Sequence, residues 1–155
     1  YGINDIMVAH GQVNTGLRYH LWLNGEPFAD ELLGDGVVVA TPLGSTGYYQ
    51  SITRSTFQQG LGIAFNNSIF SISNIVVPED TVVKVRVDRG PGLIAVDNND
   101  HLIPLRTHDT VTIQRSHRST YVVYFAGQVY RQYNVGIGEN RVPLGVCQMC
   151  DKALV

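Results

Sequence analysis

The sequence predicts an all-β fold, a β-sandwich of many short, mostly antiparallel strands with one short helix. Three observations lead there. Short apolar or alternating runs recur along the chain, and Gly, Pro, Asn and Asp clusters punctuate them at close intervals. Only one stretch, which follows the loop Gly44-Ser45-Thr46-Gly47-Tyr48-Tyr49, begins like a helix.

In order, Ile3 to Val8 reads as a first strand closed by His10-Gly11. Leu17 to Leu23 alternates, with Leu17, Tyr19, Leu21 and Leu23 on one face and Arg18, His20 and Trp22 on the other. Asn24-Gly25 is a strong hairpin signal, so Pro27 to Leu33 should return antiparallel. A Gly34-Asp35-Gly36 turn then leads into Val37, Val38, Val39 and Ala40, a continuous apolar run that reads as a strand buried on both faces. Pro42 ends it by withholding an N–H. Ser45 or Thr46 is placed to cap a helix that starts near Gly47 and runs to about Gln58, although Ile52-Thr53 and Thr56-Phe57 weaken it. Ile63 to Phe65 and Ile69 to Val77 read as strands, the latter stopped by Pro78. Thr81 to Asp88 is amphipathic, with Val83, Val85 and Val87 inward and Lys84, Arg86 and Asp88 outward. Leu93 to Val96, Thr110 to Gln114, Thr120 to Phe125 and Gln128 to Tyr133 complete the set, the last two as a hairpin through Ala126-Gly127. Residues 1–135 form one domain in this reading, and 136–155 an unpatterned, glycine-rich tail.

Composition narrows the function. A formal net charge of −2 supplies no basic field for nucleic acid or an anionic membrane. No apolar run approaches the ~20 residues of a membrane span. The two cysteines make no disulfide framework, and Cys147-Gln148-Met149-Cys150 is half a zinc site without partners at ligand spacing. It reads as two free thiols, with zinc shared across a dimer axis as the alternative. Only 15% of residues are charged, against about 25% in a typical soluble domain. A surface so sparsely charged suggests cover by another domain or by other subunits. Arg115, His117 and Arg118 form a small basic cluster that reads as a solvated turn, with phosphate contact as the alternative. No P-loop, HExxH or serine-nucleophile elbow is present.

The stretch from Gly34 to Ser51 carries a family resemblance. Asp35-Gly36, the apolar strand, Thr41-Pro42, Gly44-Ser45-Thr46, Tyr48 and Ser51 resemble the signature of the NAD kinase family, with Gly47 where that family has alanine. Asn4-Asp5 resembles its Asn-Glu or Asn-Asp pair. Leu93 to Ile113 resembles its segment with a central aspartate, here Asp97, followed by a D-x-V-x-I strand. Two departures stand out. Thr53-Arg54-Ser55 occupies the place of the usual Gly-Gly-Pro, and Asn67-Ser68 and Ser73 stand where histidine and arginine are common.

The resemblance implies the C-terminal NAD-binding β-domain of an enzyme that phosphorylates the 2′-hydroxyl of NAD's adenosine ribose. Asn4 and Asp5 would bind ribose hydroxyls and the adenine edge, chemistry that an amide and a carboxylate suit. Asp35 would meet the nicotinamide half, in some members from a neighbouring subunit. Thr46, Gly47 and Tyr48 would line the adenine pocket, with Ser51 one turn further on. The family's Gly-Gly-Asp-Gly motif, which carries its catalytic base, is absent from this chain, so no residue here is expected to be catalytic and none to bind metal. The chain, which starts at Tyr1, is expected to be the C-terminal half of a cytoplasmic homo-oligomer. An N-terminal α/β kinase domain would act with it, using ATP and Mg²⁺. The competing readings are a non-catalytic dinucleotide-binding or oligomerisation module and a lipid-kinase relative.

Overall fold

A computed structural model describes residues 1–118 and 120, together with the strands 131–137, 140–147 and 152–153. Two units divide the chain, Tyr1–Arg118 and Ser119–Val155.

The first unit is built from two antiparallel sheets. Strands β1 (Asp5–His10), β2 (Leu17–Leu23), β3 (Glu26–Gly34) and β4 (Gly36–Ala40) come first. A 3₁₀ turn (Gly44–Thr46) and the single helix α1 (Tyr48–Thr53) follow. Then come β5 (Leu61–Asn66), β6 (Ile75–Val77), β7 (Val83–Arg89), β8 (Gly92–Val96), β9 (Ile103–Leu105) and β10 (Thr110–Ile113). One sheet has the order β6-β5-β4-β1-β8-β9 and the other β10-β7-β2-β3. Their inner faces share one core, in which Val8, Val37, Val39, Ile63 and Phe65 of the larger sheet meet Leu17, Tyr19, Leu21, Val83, Val85 and Val87 of the smaller. This is the predicted sandwich.

Period-2 patterning explains the smaller sheet. Leu17, Tyr19 and Leu21 are buried while Arg18, His20 and Trp22 alternate outward, and β2 pairs with β3 through the Asn24-Gly25 turn, where both residues take positive φ. In the larger sheet every residue of β4 is buried. Val37 and Val39 face the sandwich core, whereas Val38 and Ala40 join Ala64, Tyr49, Ile52, Phe57 and Met7 in a second cluster on the outer face. That outer cluster is where α1 packs.

Tyr19 ties the two sheets together. Its ring is fully buried and its hydroxyl donates to Gly36 O at 3.2 Å. Burial also pushes the phenol well above its usual range, so it stays a donor. Tyr19→Phe should lower unfolding free energy by about 1 kcal/mol, the worth of one neutral hydrogen bond. A urea melt with unchanged midpoint would contradict that.

Several expectations need correction. The strand expected from Ile69 pairs only over Ile75–Val77; Ile69 and Phe70 are exposed in the connection before it. The helix ends at Thr53, because Arg54 turns into the left-handed region. Neither Ser45 nor Thr46 caps it. Gly47 occupies the cap without a side-chain bond, Ser45 Oγ donates to Pro42 O (2.7 Å), and Thr46 Oγ1 donates to Leu43 O (3.3 Å). Strand β9 was not expected at all.

In the second unit, β11 (Arg131–Ile137), β12 (Asn140–Cys147) and β13 (Lys152–Ala153) form an antiparallel sheet. Strands therefore occupy much of what reads as an unpatterned tail. The expected Thr120 to Phe125 strand, the Ala126-Gly127 turn and Cys150 fall outside the described residues, apart from Thr120.

Candidate functional site

The first turn of the chain is held from both sides. Asp97 follows β8 in the left-handed region (φ 50°) and turns its carboxylate back across the start of β1. Its Oδ1 accepts the N–H of Asn4 (2.7 Å) and of Asp5 (3.1 Å), and its Oδ2 that of Ile3 (2.8 Å). Asp97 N–H donates in turn to Asp5 O at 3.0 Å. From the other side, Thr41 Oγ1 donates to Ile3 O (2.7 Å) and Thr41 N–H donates to Asn4 O (2.8 Å).

Against this turn lies the Gly-Ser-Thr-Gly bend. Gly44 donates its N–H to Thr41 Oγ1 (3.2 Å) and approaches the Asn4 backbone so closely that a Cβ there would stand 2.1 Å from Asn4 O. Glycine is required here for space, not for its φ. The Asn4-Asp5 pair and the bend are therefore neighbours at one end of β4, where Asp5 pairs with Ala40.

Asp5 is half-buried at that end. Partial burial pushes its carboxyl above the usual carboxylate range, and the nearby Asp97 charge pushes the same way. Asp5 gives its backbone to the network, but among the described residues no protein donor reaches its carboxylate. A half-buried carboxylate without a protein donor keeps its oxygens available to accept hydrogen bonds.

Asp35 is not part of this group. It precedes Gly36 at the opposite end of β4, roughly 17 Å from Ala40 at about 3.3 Å per residue. Two consecutive asparagines link it to the helix instead. Asn67 Nδ2 donates to Asp35 Oδ2 (3.0 Å), and Asn66 Nδ2 donates to the Tyr48 hydroxyl (2.8 Å). His10 Nε2 lies 3.9 Å from the other Asp35 oxygen. The sequence marked Asn67 only as a departure and did not mark Asn66. Asn-Asn after an apolar strand signals a turn, but no spacing tells where its amides will point.

Tyr48 and Ser51 are both exposed on α1. With Asn66, Asn67, Phe70 and Asn74 they line an open hollow of about 390 Å³. Ser51 Oγ donates to Tyr48 O (2.8 Å), which leaves its lone pairs toward solvent. Thr46 is exposed on the bend. A larger hollow of about 780 Å³ borders Pro42, Gln58 and Val76 to Asp80 but includes none of the predicted residues. Contacts and chain neighbours thus link Asn4, Gly44, the bend, Tyr48, Asn66, Asn67 and Asp35 in series, although Asn4, Asp5, Thr46 and Asp35 line neither hollow. Among the described residues no three His, Cys, Asp or Glu side chains gather as a metal site, and no helix is long and apolar enough to cross a membrane.

Comparison with known proteins gives the same family. The chain is 28% identical over 144 residues to the NAD kinase of Pyrococcus abyssi, covering 88% of this chain and 50% of that one. It is 28% identical over 133 residues to the NAD kinase of Magnetococcus marinus, covering 83% and 44%. The chain thus spans about half the length of the curated relatives it matches. Its fold is similar to that of an Archaeoglobus fulgidus NAD kinase crystallised with ATP (TM-score 0.62, 20% identity, 75% of this chain and 46% of that one). It is also similar to that of a yeast NADH kinase complexed with NADH (TM-score 0.60, 20% identity, 72% and 34%). The family description "ATP-NAD kinase C-terminal domain" matches residues 3–125, most of the chain. The chain therefore belongs to the ATP-NAD kinase C-terminal domain family.

Proposed function

We propose that this chain is the dinucleotide-binding part of an NAD kinase-type enzyme, holding NAD so that the 2′-hydroxyl of its adenosine ribose can receive a phosphoryl group. The observation that carries this reading is the series of contacts that links the Asn4-Asp5 turn to the bend, the bend's helix to Asn66, and Asn67 to Asp35. Its two ends are a strand's length apart, a span that suits two linked nucleosides better than one. At the first end, the unpartnered Asp5 carboxylate accepts from ribose hydroxyls, and Asn4 offers a donor and an acceptor. Thr46 and Gly47 border the base, and Tyr48 presents a flat face to it. At the far end Asp35, held by Asn67, takes the nicotinamide half, and Ser51 faces the hollow between.

This chain contributes positioning and exclusion of water rather than a catalytic base. ATP and Mg²⁺ supply the phosphoryl group and its charge neutralisation, and no metal ligand is assigned to these residues. Exposed Ile3, Leu43 and Phe70 beside the site suit cover by an N-terminal kinase domain. The whole enzyme is read as a cytoplasmic homo-oligomer.

NADP formation by the chain joined to a kinase domain tests this reading. Turnover with ATP supports it, and NAD binding without turnover would favour a non-catalytic module. A smaller prediction concerns Tyr48. Asn66→Ala frees its hydroxyl and should weaken NAD binding by about 1 kcal/mol, one neutral hydrogen bond. Unchanged calorimetric affinity would remove Asn66 from the site.

A further inference from the structure

We infer that Asp97 is the positioning residue of the dinucleotide site, holding Asn4 and Asp5 in the attitude in which they meet the ligand. The inference rests on the function proposed above and adds a residue to it. None of the ligand contacts proposed above falls to Asp97, which acts through the backbone of Asn4 and Asp5.

Residues 3 and 4 lie outside the strand ladders, since β1 begins at Asp5 and β8 ends at Val96. Their backbone groups therefore need other partners. Asp97 accepts from the N–H of Ile3 and of Asn4, while Thr41 donates to both carbonyls. Every backbone polar group of the two residues is thus satisfied from within the protein, and the Asn4 and Asp5 side chains need not be spent on holding the turn.

The residue type follows from the donor count. Three consecutive N–H groups, those of Ile3, Asn4 and Asp5, converge on one side chain. A carboxylate has two oxygens and about four lone-pair positions to receive them, whereas an asparagine has one accepting oxygen, would turn an NH₂ toward Ile3 N–H, and would leave that group only its longer approach to Oδ1 (3.2 Å). On other grounds asparagine suits the place better. It tolerates φ 50° at least as well as aspartate, and it would not repel Asp5. A carboxylate kept in the left-handed region beside a second carboxylate, where its charge opposes ionisation of Asp5, is strain of the kind that collects at functional sites.

The test uses the 155-residue chain, with calorimetry against NAD and amide hydrogen exchange of the free protein. Asp97→Ala should raise the NAD Kd about thirtyfold and Asp97→Asn about fivefold, the graded loss expected when charge-assisted hydrogen bonds to the backbone are removed. The Ile3, Asn4 and Asp5 amides should exchange faster in both variants, with those of Val8 and Val38 unchanged. Adding Asp5→Ala to Asp97→Ala should lose less than about a further twofold, because residues that act as one unit do not contribute independently. General destabilisation would not produce that coupling. Should Asp97→Ala fail to fold, Asp97→Asn with its own Asp5→Ala double variant carries the test. Parent-like affinity in Asp97→Asn, or losses that multiply with Asp5→Ala, would overturn the inference alone. A parent chain that binds no NAD would overturn the proposed function and this inference together.

Discussion

Replacing Gly44 with alanine should cost about 3 kcal/mol of stability, at the upper end of ordinary overpacking, and should weaken NAD binding more than tenfold. The new Cβ would stand 2.1 Å from Asn4 O, 2.4 Å from Asn4 C and 2.7 Å from Asn4 Cα. These are backbone atoms, so no rotamer change makes room. Asn4 cannot retreat either, because Thr41 holds its carbonyl and Asp97 its N–H. The bend must lift away from the turn, and the two halves of the proposed adenosine site separate. Urea denaturation and calorimetry of the variant would read the two effects. Parent-like values in both would show that the bend and the Asn4-Asp5 turn are not in contact as described.

Asp5→Asn should move stability and affinity in opposite directions. The Asp5 carboxyl titrates above its ordinary value of 3.8 in the folded chain, through burial first and the Asp97 charge second. A raised folded-state value means that the group's contribution to stability is fully present below about pH 3.8 and is lost as pH rises through the folded-state value. At neutral pH the ionised side chain therefore opposes folding, and asparagine relieves it. The variant should melt higher than the parent near pH 7, with the gain vanishing as pH falls below the carboxylate range. NAD affinity should fall by about 1.5–3 kcal/mol, the worth of a charge-assisted hydrogen bond. Stability given up at a site for the sake of binding is a common trade. A variant destabilised at neutral pH would contradict the electrostatic account, and one that binds NAD like the parent would remove Asp5 from the site.

Where burial follows a simple period, the fold was legible in the sequence. Leu17 to Leu23 alternates because one face of β2 meets the core, and its bounds match the reading. The unbroken run in β4 reflects real burial on both faces, under α1 on one side and the smaller sheet on the other. Strand propensity misled at Ile69 and Phe70, since apolar and β-branched residues form a strand only where a neighbour offers a ladder. The edge of β5 offers one to Ile75–Val77 alone. Likewise Ser45 has the chemistry of a cap, yet its hydroxyl is turned toward Pro42 and Phe57 carbonyls by the packing of the bend.

The candidate site divides along similar lines. Residue types in local order, Asp35 to Ser51 above all, were readable from the chain. Their joining was not. The bonds from Ile3, Asn4 and Asp5 to Asp97 cross more than ninety positions, and the Asn67–Asp35 bond crosses 32. Nothing in the sequence pattern shows that Asp5 and Asp35 stand at opposite ends of one strand, because that depends on the register of β1 against β4.

An NAD titration of the isotopically labelled chain, followed by amide shifts, tests most directly whether the Asn4-Asp5 turn and the Gly44 bend meet one ligand. Residues Ile3 to Ile6 and Gly44 to Tyr48 should shift together along one saturation curve. Shifts confined to the outer face of the smaller sheet, around His20, Trp22 and Arg86, or separate curves for the two segments, would contradict it.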